Sequence, residues 1–375
     1  MHILIAPDSF KESLSAAQVA EAIKLGFSKV YPHASYDLLP LGDGGEGTVE
    51  SLTDALSLDV KHTYVTGPFG DKVKVTYAMK DDLAVFEMAA IVGLGSIPHE
   101  KRNPLLLKTE GIGELIVELV QNGAQRILIG VGGSASHDGG IGMASGLGVR
   151  FYDCDGDEVE AIGAHLGKIV RYSTDEMLVD LSQVRIDLVT DVNNPLCGPL
   201  GATYVFAGQK GLAPEEFERI DEEMAGFYNN VNPEILAVSG AGAGGGMAAG
   251  LVQFAGAHIQ KGVDFVMNQL NFDHRVAEAD LVIVGEGRMD IQSLAGKTPI
   301  GVAQRTPDGV PIIAICGSLK DDLPDFPFEN ICAAFPIIAS VDSLEHTLNN
   351  AEKNLIRTAE QVARVIQLGG TVRWN

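Results

Sequence analysis

Short apolar runs that end in polar, glycine-rich loops recur along the chain, and between them apolar residues fall at helical spacing. Ile3-Leu4-Ile5-Ala6 is the first such run and predicts a strand. The loop from Pro7 to Ser13 follows, and Ser15 with Gln18 then forms a capping box ahead of a stripe of Val19, Ile23 and Phe27. Residues 36–41 predict a second strand, which ends in Gly42-Asp43-Gly44-Gly45-Glu46-Gly47; Val49, Leu52 and Leu56 then resume helical spacing. The chain thus opens strand-loop-helix twice.

From residue 63 the period changes to two. Val73, Val75 and Tyr77 alternate with Lys74 and Thr76, and Lys80-Asp81-Asp82 turns the chain into residues 83–88, which predicts an antiparallel meander. Thr109 is placed to cap a helix carrying Ile112, Leu115, Ile116, Leu119 and Val120, which stops at Asn122-Gly123. Residues 126–131 predict a strand opening onto Gly132-Gly133-Ser134, and residues 186–190 another that delivers Asp191. Asp153 to Asp157 is expected as a hairpin turn, because Gly156 sits at the wrong offset for a calcium-binding loop. Residues 214–228 read as an acidic surface helix. Strands then return at residues 281–284, 311–317 and 330–335, and a closing helix is expected from Asp342 along Leu344, Leu348, Leu355 and Val362.

The last hundred residues share the rhythm of the first sixty. The fold class expected is therefore α/β with two domains: residues 1–63 and 279–375 as a discontinuous Rossmann-like, parallel-sheet domain, and residues 64–278 as an inserted mixed α/β domain. A chain of 375 residues suits two cores of ordinary size.

Composition narrows the partners. Fifty acidic residues against 27 Lys plus Arg give a net charge of −23, which excludes nucleic acid as an expected partner but not a small anion held in a cleft. The four cysteines show no CxxC spacing and are expected as small buried hydrophobes in a reducing cytoplasm. Residues 235–260 carry no charge, yet seven glycines between Gly240 and Gly256 argue for a glycine-rich loop and a buried helix, not a membrane span. The first residues lack the basic start of a signal peptide.

Chemistry is densest after the strand at 281–284. Glu286 and Asp290 are candidate ligands of a divalent cation, Arg288 and Lys297 candidate partners of phosphate or carboxylate oxygens. Gly132, Gly133 and Ser134 have the pattern of an anion-binding nest. Gly240 to Gly245 satisfies G-x-G-x-x-G, although residues 233–238 are a poor strand to precede it, and Gly296-Lys297-Thr298 lacks the earlier glycine of a P-loop. His137 is expected as a hydrogen-bonded structural histidine. Asp8, Asp43, Asp191 and Asp290 all fall on loops after expected strands. Carboxylates, glycine nests and isolated cations in that arrangement are what phosphoryl transfer requires.

At these residues the chain resembles the bacterial glycerate kinase family. The resemblance rests on Ala6-Pro7-Asp8-Ser9-Phe10-Lys11, residues 43–48, Gly132-Gly133-Ser134-Ala135, Asp138-Gly139-Gly140, residues 191–196 and 240–246, and Gly285-Glu286-Gly287 through Gly296-Lys297. It departs at Glu12, where Gly is expected, at Ser136-His137, where Thr-Asn is expected, and at Ser293, where Thr is expected. The resemblance implies ATP-dependent phosphorylation of D-glycerate, with 2-phosphoglycerate favoured as product and the active site in the cleft between two domains. Asp191 is expected as the base ahead of Asp290, with Arg288 also counted among the catalytic candidates. Glu286 and Asp290 are expected to hold Mg²⁺. Asp8, Ser9, Lys11, Asp43, Glu46 and Arg288 are the candidate glycerate contacts. Gly132, Gly133, Ser134, Gly242, Gly244, Gly245 and Lys297 are the candidate ATP contacts. The rival is a nicotinamide-dependent 2-hydroxy acid dehydrogenase using the Gly240 to Gly245 loop. A cytoplasmic location is expected, with no membrane partner, and the choice between monomer and homodimer stays open.

Overall fold

A computed structural model of the chain describes residues 1–42, 49, 52–53, 56–291, 293 and 297–369. In chain order the strands are β1 (His2–Ile5), β2 (Ser35–Leu38), β3 (Asp59–Thr66), β4 (Lys72–Lys80), β5 (Leu83–Glu87), β6 (Arg126–Gly130), β7 (Arg150–Tyr152), β8 (Arg171–Ser173), β9 (Arg185–Thr190), β10 (His258–Lys261), β11 (Leu281–Val284), β12 (Arg288–Met289), β13 (Ile312–Cys316), β14 (Ser318–Leu319) and β15 (Ile331–Pro336). The fold is mixed α/β with parallel sheets, as expected. Its residues fall into two compact units: Met1–Asp43, Glu50–Ser57 and Gly262–Asn375 in the first, Gly44–Val49 and Leu58–Lys261 in the second.

The first unit is built on a five-stranded sheet in the order β15-β13-β11-β1-β2, parallel throughout. β11 is buried at all four positions, which is why Leu281-Val282-Ile283-Val284 reads as an unbroken apolar run. Helix α1 (Ala16–Ser28) starts at the expected capping box: Gln18 N donates to Ser15 Oγ and Ser15 N to Gln18 Oε1. Such a cap contributes about 1 kcal/mol. Val19, Ile23 and Phe27 of α1 share a core with Ile3, Ile5, Ile283 and Ile315, and with Leu355, Ala359 and Val362 of the last helix, Ala351–Gly369. The closing helical region is divided: Ser343 caps a short helix, Leu344–Asn349, and the long helix begins after Asn350. The helix expected around Leu52 falls largely outside the described residues.

A six-stranded sheet in the order β10-β9-β6-β5-β4-β3 organises the second unit. β3, β4 and β5 form the expected antiparallel meander, turning at Asp81. β5, β6, β9 and β10 run parallel, so their carboxyl ends meet at one edge. β3 pairs with β4 from Asp59 onward, upstream of the residue-64 boundary read from the alternation, and Gly262 to Glu278 groups with the first unit.

Three expectations change in detail. Thr109 occupies the cap position of the helix Glu110–Gln121 but makes no side-chain cap, because its hydroxyl donates to Asp138 Oδ2 at 2.6 Å. The acidic helix runs Phe217–Val231 and is not wholly a surface element, since Ile220, Met224, Phe227 and Tyr228 are buried on one face. Cys316 is buried, whereas Cys154 and Cys332 are exposed and Cys197 is half-buried; small apolar bulk is thus the role of Cys316 alone. The glycine-rich segment runs into the buried helix Met247–Ala255, as expected. Asp153 N donates to the Asp157 carbonyl in the expected hairpin turn. No helix among the described residues is long and apolar enough to cross a membrane.

Candidate active site

In the first unit the loops after β1 and β11 are stitched together by backbone hydrogen bonds, Ala6 N to the Ile283 carbonyl and Asp8 N to the Gly285 carbonyl, both at 2.8 Å. Parallel pairing of the two strands therefore brings Asp8 to the side of Glu286. Asp8 is 8% exposed, Glu286 6% and Asp290 9%, so three carboxylates are buried on adjoining loops. Asp8 Oδ1 accepts from Ser9 N, and Asp8 Oδ2 accepts from the Thr298 hydroxyl. Asp290 N donates to Ser293 Oγ, and Arg288 Nε stands 3.3 Å from Asp290 Oδ2. The short β12–β14 pairing, Arg288 with Ser318, holds the backbone of Arg288 while its side chain stays exposed. Lys11 belongs to the same loop system, its amide lying against Gly287.

Burial pushes the Glu286 carboxyl up to about 7; a hydrogen bond with Ser293 and the Lys297 charge oppose this, and the charges of Asp8 and Asp290 add to it. Glu286 Oε1 has no hydrogen-bond partner among the described residues. Among the described residues no group of three or more His, Cys, Asp or Glu side chains meets as a metal-ligand set. Two carboxylates with an unpartnered buried oxygen nevertheless suit Mg²⁺, which takes one or two carboxylates and fills its octahedron with water and phosphate oxygens.

The second unit gathers the remaining candidates. Gly132, Gly133, Ser134, Asp191 and Gly244 line one cavity of about 240 Å³. A larger cavity of about 650 Å³ shares Gly132 and Gly133 with it and extends past Glu87, Ser96 and Arg102. Both open at the carboxyl ends of β5, β6 and β9, where ligands of parallel sheets bind. Gly242 and Gly245 are not on these walls. Gly242 packs on the Asn194–Pro195 backbone, where a Cβ would come within 2.4 Å of the Pro195 carbonyl oxygen, and Gly245 packs on the Ser136 carbonyl. Asp43 and Glu46 lie outside the described residues.

Three residues that spacing did not single out belong to these surroundings: Thr298 at Asp8, Arg102 in the larger cavity and Lys210 in the smaller. Arg102 donates to the Leu94 and Ile97 carbonyls. Lys210 is 4% exposed and donates to Ser134 Oγ and the Ser136 carbonyl, both at 2.8 Å. His137 is fully buried, with Nε2 3.0 Å from Thr203 Oγ1; burial, and then the Lys210 charge, pull it down to about 3. It is the structural histidine the sequence suggests.

The dehydrogenase alternative loses its structural basis. Gly240 to Gly245 follows a 3₁₀ turn, Pro233–Ala237, whereas the dinucleotide fingerprint needs a strand there, and Asp264 lies in the helix Gly262–Gln269.

Comparison with known proteins decides among the chemistries these loops allow. The family model of the Glycerate kinase family matches residues 3–367. The chain belongs to the glycerate kinase family. Its enzyme class is that of the family, a phosphotransferase with an alcohol group as acceptor. It is 52% identical to the glycerate kinase of Neisseria meningitidis serogroup B over 368 residues, which cover 98% of this chain and 99% of the relative. It is 39% identical to the glycerate 2-kinase of Escherichia coli K12 over 376 residues, with 98% and 99% covered. A crystal structure from Salmonella typhimurium LT2, described as glycerate kinase 2, superposes with a TM-score of 0.87 at 40% identity, over 99% of this chain and 100% of that one.

Proposed function

We propose that the protein transfers the γ-phosphoryl group of ATP to the 2-hydroxyl of D-glycerate, releasing ADP and 2-phosphoglycerate. The observation that carries this reading is the shared cavity of Asp191 with the Gly132 to Ser134 loop, which sets a carboxylate beside a row of backbone amides at a parallel-sheet edge. The name of the Escherichia coli relative supports the 2-position.

Asp191 accepts the hydroxyl proton as phosphoryl transfer proceeds, the role a positioned carboxylate fills in kinases. Gly132, Gly133 and Ser134 hold phosphate oxygens through backbone N–H groups, with Gly244 in the same wall, and Lys297 adds a point charge. The cavity beside Arg102 has the volume for the rest of a nucleotide. Glu286 and Asp290 are the residues that hold Mg²⁺, and the bound ion supplies charge neutralisation at the transferring phosphates. Arg288 and Lys11 bind the glycerate carboxylate, where a guanidinium fork gives bidentate contact, and Asp8 and Ser9 meet its hydroxyls.

Residues 64–278 inserted into a discontinuous Rossmann-like domain, with the site in the cleft, form part of the same proposal. Limited proteolysis with and without ATP and glycerate checks it through protection of the chain crossings. A cytoplasmic location follows from the need for ATP. A coupled assay of ADP release with ATP, Mg²⁺ and D-glycerate tests the activity, and phosphorus NMR of the product tests the position. Glycerate-independent ADP release, or a 3-phosphoglycerate signal alone, would overturn the corresponding half of the reading.

A further inference from the structure

Lys210 ends a single 3₁₀ turn, Gly208–Lys210, and its side chain runs inward to the glycine loops of the second unit. Its ammonium carries three N–H donors. Two are taken by Ser134 Oγ and the Ser136 carbonyl; the third has no partner among the described residues. The carboxylate that acts on it is Asp138, and Asp138 is already engaged by the Thr109 hydroxyl and the Gly140 and Gly142 amides. A buried cation without a bonded counter-charge is costly unless a ligand completes it. Lys210 also lines the cavity that contains Asp191, Gly132 and Gly133.

We infer that Lys210 is a further binding residue of the phosphoryl-transfer site, an internal cation that receives an anionic oxygen of a reactant in the Asp191 cavity while its other two donors fix the Ser134–Ser136 backbone. The inference rests on the kinase reading and deepens it. The ligand chemistry is an oxyanion, a carboxylate oxygen from glycerate or a phosphate oxygen from the nucleotide.

One consequence distinguishes a ligand-binding lysine from a merely structural one. Burial holds the free ammonium down to about 7, so above that pH much of Lys210 is neutral. An arriving oxyanion favours the charged form, and Lys210 Nζ then takes a proton from solvent as the anion binds. Three other titratable groups face this position. His137 stays neutral, burial raises the Asp138 carboxyl, and Asp191 lines the same cavity. Substitution at Lys210 isolates its share from theirs.

The experiment is calorimetric titration at pH 8, in two buffers of different ionisation enthalpy, with ADP alone and D-glycerate alone, so that no turnover occurs. Wild type is expected to take up protons with one of the two ligands, which names the source of the oxyanion. Lys210→Met is expected to lose that uptake and at least tenfold of the affinity for the same ligand. Lys210→Arg, always charged, is expected to bind without uptake, an outcome a packing role does not produce; if the Met variant does not fold, the Arg variant and the wild-type uptake still decide. Binding of ADP and glycerate with no proton uptake overturns the inference and leaves the kinase reading standing. Binding of neither ligand overturns both.

Discussion

Thr298 Oγ1 donates to Asp8 Oδ2 at 3.0 Å, between residues 290 apart in the chain. The bond ties the loop after β1 to the first residue of the helix Thr298–Arg305, and both groups are buried. A hydroxyl at the start of a helix thus fixes the orientation of this buried carboxylate. Thr298→Val keeps the shape and removes the donor from a buried carboxylate, so stability should fall by about 1–3 kcal/mol. Urea unfolding checks this through a lower midpoint at unchanged slope. Thr298→Ser should recover most of the loss; an unchanged midpoint in the Val variant would mean that the hydroxyl contributes nothing to holding Asp8.

Glu12 adopts a left-handed backbone conformation, φ 65°. It is also the position where the family resemblance leads one to expect glycine. A residue with a Cβ in this region carries strain of about 1–2 kcal/mol, against about 0.5–1 kcal/mol of extra chain entropy that glycine loses on folding. The difference favours glycine slightly. Glu12→Gly should therefore raise stability by up to about 1 kcal/mol, read as a higher melting temperature, and a lower melting temperature would show that the exposed Glu12 side chain contributes more than its strain.

Much of this fold was legible because local signals agreed with the tertiary arrangement. The Ser15–Gln18 capping box, the alternation through Val73, Val75 and Tyr77, and the four-residue run at Leu281 each appear as the elements they suggest. Asp8, Glu286 and Asp290 could be grouped because each follows a strand whose carboxyl end lies at one sheet edge. Lys210 could not. It sits in Gly208-Gln209-Lys210-Gly211, a turn with no period, and a lysine buried to this degree runs against what composition leads one to expect. Nor could Thr109 be separated from an ordinary helix cap, because its partner Asp138 lies 29 residues away. Gly242 and Gly245 fitted a nucleotide fingerprint by spacing alone, yet their missing side chains admit backbone carbonyls.

Asp191 and Asp290 exchange roles under a simple test. Asp191 is exposed and lines the cavity of the Gly132 to Ser134 loop, whereas Asp290 is buried and faces Arg288. If Asp191 is the base, Asp191→Asn preserves shape but removes the proton acceptor, and kcat should fall by about 10²-fold or more with little change in the KM for glycerate. Asp290→Asn should instead shift the Mg²⁺ dependence and regain activity at high Mg²⁺. Steady-state kinetics across a Mg²⁺ series separates the two. A normal turnover in Asp191→Asn together with a dead Asp290→Asn at saturating Mg²⁺ would reverse the assignment.

Lys210 also leaves a signature in the pH dependence of stability. Its folded value is depressed to about 7 from an unfolded value of 10.5, so between these limits the unfolded chain holds more protons than the folded one. Stability attributable to this group therefore rises with pH from about 7 to 10.5, and the penalty for burying the ammonium is fully present below 7. His137, depressed to about 3 from 6.5, has the same sign in a lower window, where stability rises with pH from about 3 to 6.5. The two windows do not overlap, so a comparison above pH 7 reports on Lys210 apart from His137. Lys210→Met removes the titrating group and keeps the apolar stem, and other groups largely cancel in the difference between the two proteins. The melting temperature of wild type minus that of Lys210→Met should therefore increase between pH 7 and 10. A ligand that completes the ammonium should flatten this difference when present at saturation, because the bound form raises the folded value back toward 10.5. Differential scanning fluorimetry at several pH values, with and without the ligand that shows proton uptake, checks both parts. Parallel curves for the two proteins would mean that Lys210 keeps its proton in the folded state at all these pH values.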